Sequence, residues 1–155
     1  MSFIEYMYAL ERTWFLNSSV YIIPGFNLVH LLSMGMFLGA LWMVDLRLLG
    51  GVLTHRPIAD VERDAHPWLV AGFLGLFLTG IPAFMQTASA QVNNPVFYTK
   101  MGILLIGLVF TFVVRRKMTQ ADEGRVRPIW LKLVAVVSIS LWVTVATAAR
   151  LIMLL

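Results

Sequence analysis

The sequence contains no cysteine. Disulfides, iron–sulfur ligation and thiol catalysis are therefore excluded, and the redox compartment cannot be read from cysteine usage. Charge is scarce as well. Asp, Glu, Lys and Arg make up 13% of the chain, about half of the roughly 25% usual in a soluble domain. A basic n-region is missing: the opening stretch MSFIEYMYALERTWF carries Glu5 and Glu11, so no secretory signal peptide is expected. Neither internal repeats nor low-complexity segments occur.

What is abundant is apolar. Hydrophobic residues form 59% of the 155, gathered in four blocks rather than in amphipathic stripes. That pattern excludes a water-soluble core and makes lipid the solvent. The expected fold is all-α: an integral membrane four-helix bundle, one domain over residues 1–155. A short interfacial amphipathic helix over 2–16 is expected to precede the spans. Phe3, Met7, Leu10 and Trp14 recur there at helical spacing, but the segment is too polar and too short to cross a membrane.

The spans are expected at about 24–49, 67–85, 96–114 and 128–155. Pro24 and Pro67 suit first-turn positions, where a missing N–H costs nothing. Gly50-Gly51 ends the first helix, and residues 52–65 read as a polar loop. Pro82 should kink or fray the end of the second span. Asn93-Asn94-Pro95 signals a turn and the next helix start. The third span stops at Arg115-Arg116-Lys117. Trp42, Trp68, Tyr98 and Trp130 fall near span ends, as an interfacial belt should.

The net charge is +4, and its distribution is a topology signal rather than a nucleic-acid patch; no nucleic-acid partner is expected. Arg47, Arg56, Arg63, Arg115, Arg116, Lys117, Arg125 and Arg127 flank two connections, whereas 86–96 holds no Lys or Arg. Short cytoplasmic loops collect basic residues. The expected location is the bacterial inner membrane, with both termini outside.

An ionisable side chain inside a span needs a reason. His30 lies among apolar residues two turns into the first span, roughly 5 Å outside the midplane at 1.5 Å rise per residue. It is the candidate metal ligand, an axial ligand to haem b through a neutral imidazole. A hydrogen bond to a neighbouring helix is the plainer alternative. Gly35 and Gly39, further along the same helix, would let a porphyrin face or a partner helix approach. Lys100 sits roughly 11 Å outside the midplane by the same rise, within reach of His30. It can pair with a haem propionate, ligate the iron or donate a proton, or its ammonium can simply snorkel to the interface. His66 opens the second span roughly 20 Å from His30 in level, so the two cannot share one iron; an interfacial role suits it better than a second haem. His55, in a loop, carries no functional claim. Asp45 and Arg47, two residues apart, do not face each other and are expected to pair with other elements. No carboxylate is expected deep in a span.

The stretches WFLNSSVYIIPGFNLVHLLSMGMFLGALWMVDLRLLGG, PWLVAGFLGLFLTG and NPVFYTKMGILLIGLVF resemble an uncharacterised bacterial family of small four-helix membrane proteins. The resemblance covers roughly residues 12–115. It rests on His30, on Asp45-Leu46-Arg47-Leu48-Leu49-Gly50, on Pro67-Trp68, and on Asn94-Pro95 with Lys100. A histidine on one helix and a lysine on a later one is distantly similar to the haem-containing four-helix protoporphyrinogen oxidases. The helix pattern is also similar to that of the copper-resistance D-type membrane proteins. These likenesses imply fold, not chemistry.

Three functions are carried forward. The first is a b-type haem protein in electron transfer or in oxidation of a lipid-soluble substrate such as a quinol, with a quinone or membrane redox partner. The second is a cofactor-free accessory or assembly subunit of a larger membrane complex. The third is a copper carrier using Met34, His30 and Met101, since thioethers suit Cu(I). A homodimer is compatible with all three.

Overall fold

The computed structural model describes residues 5, 6, 8, 9, 12, 19–121 and 126–152, the last two as backbone only. The helix expected over 2–16, and Arg125 of the basic segment, lie largely or wholly outside these described residues. Among the described residues there is no strand. The helices are α1 (Ile22–Leu49), α2 (Ile58–Met85), α3 (Ala88–Val92), α4 (Pro95–Val109), a π-helical segment (Phe110–Arg115), α5 (Arg116–Gln120) and α6 (Pro128–Ile152). Among the described residues, four stretches are long and apolar enough to cross a membrane: α1, α2, the continuous helix Pro95–Gln120, and α6. The protein is an integral membrane four-helix bundle.

Local chemistry sets most of the ends. Gly50 closes α1 in the left-handed region at φ 81°. Its N–H donates to the Arg47 carbonyl at 3.0 Å and the Gly51 N–H to Leu46 at 2.9 Å, a Schellman motif that only glycine enters cheaply. Asn94 caps α4 by accepting from the Val96 N–H at 2.9 Å, with Pro95 behind it.

Two boundaries differ from expectation. α2 begins at Ile58, not at Pro67, so Pro67 stands inside the helix. The residues read as loop are amphipathic: Ile58, Val61 and Ala65 are buried on one face, continued by Leu69. Their polar neighbours pair outside, Arg63 with Asp60 at 2.9 Å and Arg56 with Asp64 at 2.8 Å. The third span does not stop before Arg115. Its turns widen to a π-helix over Phe110–Arg115 and the chain stays helical to Gln120. Arg115 faces inward, while Arg116 and Lys117 remain exposed.

The core forms where α1, α2 and α6 meet. Phe37, Leu41, Val44, Val61, Ala65, Leu69, Trp142 and Val145 make one cluster, with Phe37 edge-on to Trp142 at 4.6 Å between centroids. α1 and α2 close on each other at two glycines. A Cβ on Gly72 would lie 2.6 Å from the Phe37 backbone nitrogen, and one on Gly75 would run into the Ser33 side chain. α4 has α6 as its main backbone neighbour, whereas α2 meets the third span chiefly through α5.

Candidate functional site

Buried polar groups gather at the two ends of the bundle. The first centre is built on His30. Its Nδ1 lies 2.8 Å from Thr79 Oγ1 of α2. That hydroxyl donates its only proton to the Gly75 carbonyl at 2.6 Å. With that proton given to Gly75, Thr79 Oγ1 can serve His30 as an acceptor, which assigns the neutral imidazole the tautomer protonated on Nδ1. The Nε2 lone pair is left available. Thr79 itself is held by the helix geometry, four residues from Gly75 on the face pressed against α1. Lys100, in the first turns of α4, is half-buried. The end of α2 and the start of α4 are joined there by a Phe84–Phe97 stack at 5.6 Å.

Gly35 and Gly39 do not belong to this pocket. At about 100° per residue they lie roughly 140° and 180° round α1 from His30. A Cβ on either would meet nothing within 4 Å. They open instead onto an apolar depression on the outer surface with Met36, Ala40, Met43 and Trp68. The close approach expected of them is made by Gly72 and Gly75. Met101 is 44% exposed on its span. Among the described residues, no group of three or more His, Asp or Glu side chains is arranged to hold a metal ion.

The second centre lies at the basic end, and all four spans contribute to it. Arg115 is 1% exposed and Asp45 0%. The Arg115 Nε–H donates to Asp45 Oδ1 at 2.9 Å, and an Nη2–H donates to the Leu41 carbonyl at 3.3 Å. Ser138 of α6 donates to the other Asp45 oxygen at 2.7 Å. Glu62 of α2 stands 3.6 Å from Arg115 Nη2 through Oε2 and 3.7 Å from His66 Nδ1 through Oε1. Its Oε2 is buried and accepts no hydrogen bond. One turn inward, Trp142 Nε1–H donates to Thr111 at 3.0 Å. Arg47 ties the connection after α1 by donating to the Arg56 carbonyl at 2.9 and 2.7 Å.

Two carboxylates are therefore buried between the helices at this end of the bundle, Asp45 near the close of α1 and Glu62 in the first turns of α2. Asp45 falls one turn from Leu41 and three residues from Leu48, on the buried face of α1. An acid on an apolar stripe was the signal that could have found it. Glu62 sits likewise among Ile58, Val61 and Ala65.

The two centres are far apart. Asp45 is fifteen residues along α1 from His30, roughly 22 Å. His66 is thirteen residues from Thr79, roughly 20 Å, so His66 and His30 stand at opposite ends.

Nothing among curated proteins or solved structures matches the chain. The model of a family of unknown function, DUF6644, matches residues 3–154, and the chain belongs to that family.

Proposed function

We propose that the protein is a b-type haem-binding protein of the bacterial inner membrane, with His30 Nε2 as the axial ligand. The observation that carries the reading is the His30–Thr79–Gly75 hydrogen-bond chain. Metal-ligating histidines almost always donate their other ring N–H to an oxygen acceptor, which fixes tautomer and ring orientation. Here Thr79 supplies that acceptor within an apolar span. Lys100 is the residue suited to a propionate. α1 and α2 close on each other at Gly72 and Gly75, so a haem on His30 would have to lie on another side of α1. Bound haem supplies reversible one-electron transfer, serving electron transfer or oxidation of a quinol-like, lipid-soluble substrate. With the basic connections cytoplasmic, His30 and Lys100 belong to the outer leaflet. The test is a reduced-minus-oxidised optical spectrum of detergent-purified protein from haem-replete cells. An α band and a Soret shift support the reading; their absence refutes it.

A second reading is favoured by a separate observation. The apolar depression over Gly35, Gly39 and Ala40, rimmed by exposed Trp68, offers another helix a place to approach closely, as small residues do in membranes. It supports a cofactor-free subunit of a larger complex. Native mass spectrometry of gently solubilised membranes decides: a lone, stable homo-oligomer counts against it.

A further inference from the structure

We infer that Glu62 and His66 form a proton-binding pair at the basic end of the bundle, with Arg115 and Asp45 as a fixed, self-neutralising charge beside it. The charges lead there. Asp45 is fully used: Arg115 donates to one of its oxygens at 2.9 Å and Ser138 to the other at 2.7 Å. That pair cancels. Glu62 is then the surplus carboxylate, 3% exposed, with an oxygen that accepts no hydrogen bond. Its distance of 3.6 Å from Arg115 Nη2 is too long for one, and the guanidinium is already bound to Asp45 and Leu41. A buried carboxylate left as an unpaired anion is strongly disfavoured. A single proton removes the excess, held either by Glu62 itself or by His66 as the countercharge.

The surroundings favour a proton over a metal cation. Within 4.0 Å of the two Glu62 oxygens stand nitrogens of Arg115 and His66, one a permanent cation and the other able to become one. Arg116 and Lys117 of α5 are exposed, as is Arg63 of α2, and α6 offers Ser138, which does not titrate. His66 gives the route. It stands one turn along α2 from Glu62, with its side chain 27% exposed and its ring edge-on to Phe112 at 6.5 Å. For the transfer the His66 side chain closes its 3.7 Å separation from Glu62 Oε1 to hydrogen-bond distance; the Nδ1–H bond of the imidazolium then breaks and an O–H bond forms on Oε1. Imidazolium and carboxylate become imidazole and carboxylic acid. The imidazole then takes its next proton from water at the membrane surface. The inference is independent of haem at His30.

Infrared difference spectroscopy of the full-length protein in detergent or nanodiscs tests it, recording the carboxylic-acid C=O stretch as pH is varied. The expected result is a pH-dependent band that shifts on isotope labelling of glutamate and disappears in Glu62→Gln. In His66→Gln the band should appear over a different pH range. Circular dichroism on the same samples establishes that the variants are folded. The labelled wild type needs no variant to fold: no glutamate C=O band at any pH that preserves the helical spectrum overturns the inference. So does a band that survives Glu62→Gln, or one whose pH range is the same in His66→Gln.

Discussion

Arg115 and Asp45 meet at 2.9 Å between the third and first spans, both with essentially no exposed surface. Arg115 closes a stretch of widened, π-helical turns over Phe110–Arg115 and lies four residues after buried Thr111 and four before buried Thr119, on the inward face of the third span, while Arg116 and Lys117 point out. π-Helical turns recur at functional sites. A buried ion pair is weak evidence of net stability, because desolvation offsets much of the attraction. What the pair does secure is register: Asp45 is held from α6 by Ser138 and from the third span by Arg115.

Removing one partner leaves the other buried and uncompensated. Arg115→Ala or Asp45→Ala should each destabilise the bundle by about 3–5 kcal/mol. The double replacement Asp45→Leu with Arg115→Met should cost clearly less than the sum of the single changes. Unfolding in mixed micelles by a denaturing detergent measures all of these. Strict additivity would mean that the two side chains do not interact.

The glycines separate into two classes. Gly72→Ala forces a methyl group against the Phe37 backbone and should destabilise by roughly 1–3 kcal/mol, the usual range for overpacking. Gly35→Ala and Gly39→Ala meet nothing and should be neutral or gain up to about 1 kcal/mol of helix propensity. Thermal unfolding of the three variants side by side distinguishes them. Equal effects would contradict the packing of α1 on α2.

The end of α1 depends on backbone freedom at one position. Gly50→Ala, at φ 81°, should cost roughly 1 kcal/mol or slightly more, since an L-residue is strained in the left-handed region. Gly51→Ala is the control, because its Cβ would meet only the Leu46 carbonyl oxygen at 3.5 Å. The comparison is a difference in midpoint between the two variants.

These boundaries were legible where short-range chemistry decides them. Gly50 at the close of α1, Asn94-Pro95 at the start of α4 and Pro128 at the start of α6 all follow from caps and fixed dihedrals. The start of α2 was not legible, because Pro67 reads as a helix opener and the period at Ile58, Val61, Ala65 and Leu69 is interrupted by charges. Arg115 was hidden in a basic run that reads as a membrane stop, and nothing local announces a π turn. Thr79 was silent for a different reason: its role exists only through His30, forty-nine residues away in sequence. His30 stood out because an isolated imidazole among apolar residues demands a partner.

Thr79 carries a prediction of its own. Under the haem reading, Thr79→Val removes the acceptor for the His30 Nδ1–H and should lower haem occupancy or affinity by about 10–100-fold. Thr79→Ser keeps the hydroxyl and should retain most of it. Haem titration of the purified apoprotein, followed in the Soret region, makes the comparison. Equal binding by the valine and serine variants would remove Thr79 from the account.

The most direct measurement compares reduced-minus-oxidised spectra of the wild type, His30→Ala and His66→Ala, purified from the same haem-replete cells. The account predicts a haem signal in the wild type, its loss in His30→Ala and its retention in His66→Ala, which stands at the opposite end of the bundle. A folded wild type without haem would contradict it, as would a spectrum unchanged by His30→Ala or abolished by His66→Ala alone.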